Sequence, residues 1–154
     1  TNYQLLMSKL LQLKIVTPEK LILEEEVESV TIPTKEGEIT ILPDHVPLIA
    51  PLASGDIVSF VNGEHVPVAV VGGFVEVKTG DKGTTEVAIL ADFAEHVGDI
   101  TEEAIDKAKT KSEELRKLAE NKEVVDFEHF ESELERSLTR VKIADKWKNK
   151  KYRR

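Results

Sequence analysis

Through residues 11–92 apolar and polar side chains alternate in short runs, the period expected of half-buried strands. Leu13-Lys14-Ile15-Val16 runs into Thr17-Pro18-Glu19-Lys20, a turn sequence. Residues 21–33 supply more strand, Val30 and Ile32 alternating with Ser29 and Thr31, interrupted by Glu24-Glu25-Glu26. Three acids in a row suit a solvated edge or bend and discourage edge-to-edge pairing. Residues 57–61 and 66–71 are expected to pair across Asn62-Gly63-Glu64-His65, since Asn-Gly favours a tight hairpin. Gly72-Gly73 is expected to break the chain before Phe74-Val75-Glu76-Val77-Lys78, and Gly80-Asp81-Lys82-Gly83 to turn it into Glu86-Val87-Ala88-Ile89-Leu90. Many short strands with frequent turns predict a β-sandwich or barrel.

The period changes at His96-Val97-Gly98-Asp99, beyond which the chain has no Gly or Pro. Thr101 is the expected N-cap of a first helix, with Glu102 and Glu103 in its first turn. Ala104, Ala108, Ser112, Leu115 and Ala119 recur at helical spacing as a stripe of mostly small side chains, flanked by Leu118. After a polar break at Glu120-Asn121-Lys122-Glu123, Asp126 is the expected cap of a second helix. That helix gathers Phe127, Phe130, Leu134, Leu138, Val141 and Ala144 on one face. A small-residue stripe facing a large-residue stripe predicts a close antiparallel hairpin. The expected class is α+β, mainly β, with a sandwich at 1–98 and a helical hairpin with a basic tail at 99–154. So thin a hairpin core is expected to be able to detach from the sandwich or repack on a partner.

Composition narrows the function classes. The 154 residues carry a net charge of −8, which argues against nucleic-acid binding. No Cys occurs, and the four His are scattered without metal-ligand spacing, so neither a thiolate nor a metal site is expected. No apolar run is long enough to span a bilayer, and the N-terminus lacks a signal-peptide layout; Met7 is a candidate natural start after a six-residue extension. The charge is uneven: residues 140–154 hold eight basic residues against Asp145 alone. Arg140, Lys142, Lys146, Lys148, Lys150, Lys151, Arg153 and Arg154 exceed what the last turn of a helix dipole attracts, and so point to an acidic partner.

The chemistry-bearing stretch is Gly37-Glu38-Ile39-Thr40-Ile41-Leu42-Pro43-Asp44-His45-Val46-Pro47-Leu48. Ile39 and Ile41 take one face of a strand and Glu38 and Thr40 the other, before Pro43 and Pro47 stiffen an exposed turn. Asp44 beside His45 raises a hydrolase reading, which lacks a nucleophile and a group to orient the imidazole. The stretch resembles the signature of the epsilon subunit of the F-type ATP synthase. Leu52-Ala53-Ser54-Gly55, Gly72-Gly73-Phe74-Val75-Glu76-Val77 and Ile89-Leu90-Ala91-Asp92-Phe93-Ala94-Glu95 extend the likeness in order and spacing.

The resemblance implies a ten-stranded β-sandwich plus a two-helix hairpin, in a non-catalytic central-stalk subunit. Its partners would be the gamma subunit, the ring of c subunits and, when the hairpin extends, the catalytic beta and neighbouring alpha subunits. The hairpin would restrain ATP hydrolysis, its basic tail meeting acidic loops of the beta subunits. The implied place is the cytoplasmic side of the bacterial inner membrane, with no nucleic acid and only indirect contact with lipid. By position, Glu38 is similar to the family's acidic contact with the c-ring loops and His45 to its stalk-interface histidine. Some bacterial members bind ATP through Ile/Leu-Asp-x-x-Arg-Ala, where this chain has Ile100-Thr101-Glu102-Glu103-Ala104-Ile105. Thr101 and Ala104 replace the Asp and the Arg, removing the guanidinium that would pair with phosphate, so no cofactor is expected unless Arg136 and Arg140 supply a site. That loss also weakens the rival reading of a free-standing nucleotide sensor.

Overall fold

The computed structural model describes residues 9–121 and 126–154, with Phe127 placed by its backbone alone. The candidate start at Met7 and the break at Lys122-Glu123 lie outside the described residues. Among the described residues, eight strands come first: β1 (Leu11–Val16), β2 (Leu21–Val27), β3 (Ser29–Thr34), β4 (Gly37–Ile41), β5 (Leu48–Pro51), β6 (Gly55–Val61), β7 (Glu64–Thr79) and β8 (Thr85–His96). A 3-10 turn, Val97–Asp99, leads to helices α1 (Glu102–Glu120) and α2 (Phe127–Trp147).

The strands hydrogen-bond in the order β2-β1-β8-β7-β6-β3-β4, with β5 also on β7. Pairing along β7 and β8 divides this sheet into two leaves. β5 pairs with residues 74–77 of β7, and β1 runs parallel to residues 86–90 of β8. β6 instead pairs with residues 64–70 of β7. One leaf is therefore β2-β1-β8-β7-β5 and the other β8-β7-β6-β3-β4, β7 and β8 contributing a half to each. Counted by halves, the eight strands make the ten that were expected. Leu11, Leu13, Ile15, Val30, Ile32, Ile57, Val68, Val75 and Ile89 belong to one cluster between the leaves, each at most 1% exposed.

Gly72-Gly73 does not break the chain, contrary to expectation. β7 runs through both glycines, with φ of 66° and 109°, at the point where it exchanges β6 for β5 as partner. A Cβ on Gly73 would lie 2.0 Å from the Leu90 carbonyl oxygen, so the crossing needs glycine. The Asn62-Gly63 hairpin forms as expected, both residues at positive φ, and its strands extend to Val61 and Glu64. The three glutamates lie within β2, an edge strand rather than a bend; Glu24 and Glu26 are solvated, whereas Glu25 is paired with Arg153.

The caps are as the residues require: Thr101 Oγ1 accepts from the Ala104 amide at 3.0 Å and Asp126 Oδ1 from the His129 amide at 3.1 Å. Ala108, Ser112 and Leu115 are buried along α1, whereas Ala119 and Leu118 are exposed. On α2, Phe130 and Ala144 are buried, but Leu138 is 46% exposed. Ser137, Thr139, Ile143 and Trp147 are buried instead, because α2 meets α1 on one side and the sandwich on the other. Ile143 and Trp147 join Ala69 and Val97 in a second apolar cluster, flanked by Val58, Ile100 and Tyr152. In this structure the hairpin is docked on the sandwich through α2.

Candidate functional site

Register decides which side chains share a face, because directly paired residues on neighbouring strands project to the same side. On the outer face of the second leaf, Asp56 pairs with Ala69 and Ala69 with Glu95. Helix α2 covers this row. Lys146 Nζ donates to both Asp56 carboxylate oxygens at 2.9 and 3.0 Å, and Trp147 Nε1 donates to Oδ2 at 2.7 Å. Arg140 Nε donates to Glu95 at 2.7 Å, and the guanidinium groups of Arg136 and Arg140 stand 5.3 and 5.0 Å from the Phe93 ring centroid.

Among the described residues, no helix covers the first leaf's outer face. Pro51 pairs with Phe74, Phe74 with Leu90, Leu90 with Val16, and Val16 with Leu21. An apolar row thus crosses all five strands, with Phe74, Leu90 and Leu21 more than half exposed and Ile49 beside it at 72%. A contiguous exposed apolar row on a sheet face marks an interaction surface. The alternation is legible in the sequence, but which apolar side chains take outward positions is not. The missed signal is that Leu21, Phe74 and Leu90 occupy them.

Glu38 is exposed on β4, paired with Pro33 next to the β3–β4 turn. His45 is half-buried in the loop at the other end of β4, where that loop passes from one leaf to the other between exposed Leu42 and Val46. The two share no hydrogen bond or ion pair and form no joint constellation. Asp44 and His45 do not engage each other either: His45 Nδ1 lies 2.7 Å from the Val46 carbonyl, while the Asp44 carboxylate meets Lys9 at 3.2 Å. Asp44 holds φ of 70° and its amide donates to Thr85 Oγ1 at 2.7 Å, pinning the loop to the start of β8.

The basic C-terminus divides. Arg140, Lys146 and Arg153 pair with Glu95, Asp56 and Glu25 of the sandwich. Lys150 stands 5.4 Å from the Trp147 ring and Arg154 5.7 Å from that of Tyr152. Lys142, Lys148 and Lys151 have no ion pair among the described residues. Where some family members carry a nucleotide motif, the Thr101 hydroxyl serves as the helix cap. Thr101 lines a cleft of about 600 Å³ with Glu102, Lys109, Lys142 and Lys148, whereas Arg136 and Arg140 line a separate one of about 250 Å³ with Lys20 and Glu95.

A family model described as ATP synthase, Delta/Epsilon chain, beta-sandwich domain matches residues 10–97. The ATP synthase epsilon chain of Nitratidesulfovibrio vulgaris (strain DP4) is 40% identical over 137 residues, 89% of this chain and 97% of that relative. That of Syntrophobacter fumaroxidans is 36% identical over 140 residues, 91% and 99% of the two chains. A chain in the cryo-EM structure of the Euglena gracilis mitochondrial ATP synthase, OSCP/F1/c-ring in rotational state 1, is similar at TM-score 0.60 and 25% identity, covering 90% of this chain and 79% of that one. A chain from the central stalk/c-ring of the Tetrahymena thermophila mitochondrial ATP synthase shares the fold at TM-score 0.51 and 15% identity, covering 90% and 96%.

Proposed function

The chain belongs to the ATP synthase delta/epsilon family, and from that premise we propose how it engages the rotor and restrains hydrolysis. It is a central-stalk subunit of an F-type ATP synthase, non-catalytic, and part of a membrane-associated complex. No described helix is long and apolar enough to cross a membrane. In our reading it is a peripheral subunit on the cytoplasmic side of the bacterial inner membrane.

The reading of its contacts rests above all on the uncovered apolar row across the first leaf. Docking that face on the gamma subunit would remove Phe74, Leu90, Leu21 and Ile49 from water at about 25 cal/mol per Å² of apolar surface. The exposed Glu38 and the Leu42-to-Val46 loop carrying His45 are the complementary polar contacts, with the c-ring loops and the stalk. The hairpin, seated on the other leaf, stays free to leave without disturbing that docking. When it extends, Lys142, Lys148 and Lys151 meet acidic loops of the catalytic beta subunits and slow ATP hydrolysis. ATP is not a ligand of the α1 start in this reading, because Thr101 and Ala104 stand where an Asp and a phosphate-pairing Arg would be needed.

Replacing Glu38 and His45 together with Ala should leave the isolated chain folded, the exposed Glu38 contributing no more than about 0.5 kcal/mol of the change. Binding to a purified gamma–c-ring subcomplex should weaken, and an unchanged affinity would remove both residues from the interface. Neutralising Lys142, Lys148 and Lys151 should raise ATP hydrolysis by the assembled enzyme; equal rates would reduce them to a solvated helix end. Calorimetric titration of the isolated chain with millimolar ATP should show no saturable heat.

A further inference from the structure

Beyond the end of α2 the chain does not trail away. The Arg153 amide donates to the His65 carbonyl at 2.8 Å, and the Arg153 guanidinium donates to Glu25 on edge strand β2 at 2.7 Å. His65 lies in the first residues of β7, in the leaf that carries the hairpin, whereas β2 is the edge of the other leaf, so Arg153 ties the two leaves together. Tyr152 packs edge-on against Trp147, ring centroids 5.7 Å apart, and Trp147 is itself bound to Asp56.

Between these anchors the terminal segment passes over the turn Val97–Asp99, which alone connects sandwich to hairpin. A Cβ built on Gly98 would lie 3.0 Å from the Cα and 3.3 Å from the Cβ of Arg154. Val97 is buried beneath, in the cluster formed with Trp147 and Ile143. The hinge is therefore covered by the end of the chain whose motion it would permit.

We propose that residues 147–154 are a strap that locks the hinge turn Val97–Asp99, and that the hairpin leaves the sandwich only after this strap releases. Each attachment is modest alone, Arg153 being about one-third exposed. Joined through one short segment they act together, since holding one anchor keeps the next at high effective concentration. The acidic groups involved, Glu25, Asp56 and Glu95, all belong to the sandwich, and their cations all belong to the moving part. The same basic end thus holds the docked state with three of its charges and leaves others for a distant acidic surface. That consequence for hydrolysis rests on the rotor reading above; the strap itself does not.

The chain contains no Cys, so Val97→Cys, 3% exposed in the parent, offers a single thiol beneath strap and hinge. Its labelling rate by a maleimide in the isolated full chain reports how often the hairpin opens. Arg153→Glu should speed labelling by about tenfold, because a charge-assisted bond becomes a like-charge contact. Adding Glu25→Arg in the same chain should bring the rate back to that of the parent. Truncation after Trp147 should speed labelling at least as much, with circular dichroism confirming an intact sandwich and helices. Labelling at the parent rate in Arg153→Glu and in the truncated chain, or no recovery in the charge-swapped pair, would overturn the strap. Both results are independent of any rotor partner.

Discussion

Asp56 shows how much one side chain can organise. Its carboxylate sits only 8% exposed on the sandwich and accepts from Lys146 and Trp147 of the hairpin. Removing the acceptor in Asp56→Ala strands the indole N–H in an apolar cluster, and should cost about 1–3 kcal/mol. Urea unfolding followed by the fluorescence of Trp147, the single tryptophan, measures that loss. Asp56→Asn retains an acceptor for the indole and should cost less than Asp56→Ala. Gly73 is the second residue on which much depends: Gly73→Ala drives a Cβ into the Leu90 carbonyl and should lower stability by about 3 kcal/mol or more. A urea midpoint equal to that of the parent would mean that β7 crosses between leaves by another route.

At the level of elements, what could be read from the sequence was what depends on local chemistry. The caps Thr101 and Asp126, the Asn62-Gly63 turn and the alternation through β1, β3 and β6 each follow from a few neighbouring residues. What could not be read depends on partners far along the chain. Gly72-Gly73 looks like a break locally, and becomes a crossing only because β5 and β6 share β7 end to end. Leu138 matches a helical stripe, yet α2 turns Ile143 and Trp147 toward Ala69 and leaves Leu138 outside. Glu25 was one of three solvated acids until Arg153, far away in sequence, supplied its partner. The apolar row of the first leaf needs four separate strand pairings before Pro51, Phe74, Leu90, Val16 and Leu21 line up. Among helical elements, Thr101→Ala should destabilise the start of α1 by about 1 kcal/mol, seen as faster amide exchange in its first turn.

For the molecule as a whole, the two outer faces of the sandwich have different tasks. One is covered by a helix held through carboxylates, the other presents apolar side chains to water. In the proposed reading, this division would let the subunit stay fixed to a rotor by one face while the hairpin on the opposite face moves. It also separates the responses to salt: the charged attachment of the hairpin should weaken as ionic strength rises, while the apolar docking should not. The most direct test is a titration of the gamma–c-ring subcomplex with a Phe74→Asp, Leu90→Asp chain. The account predicts an affinity at least about tenfold weaker, from the cost of burying two charges at an apolar contact, with thermal stability and hairpin docking unchanged. Binding as tight as that of the parent chain would contradict it, and would place the rotor on some other face.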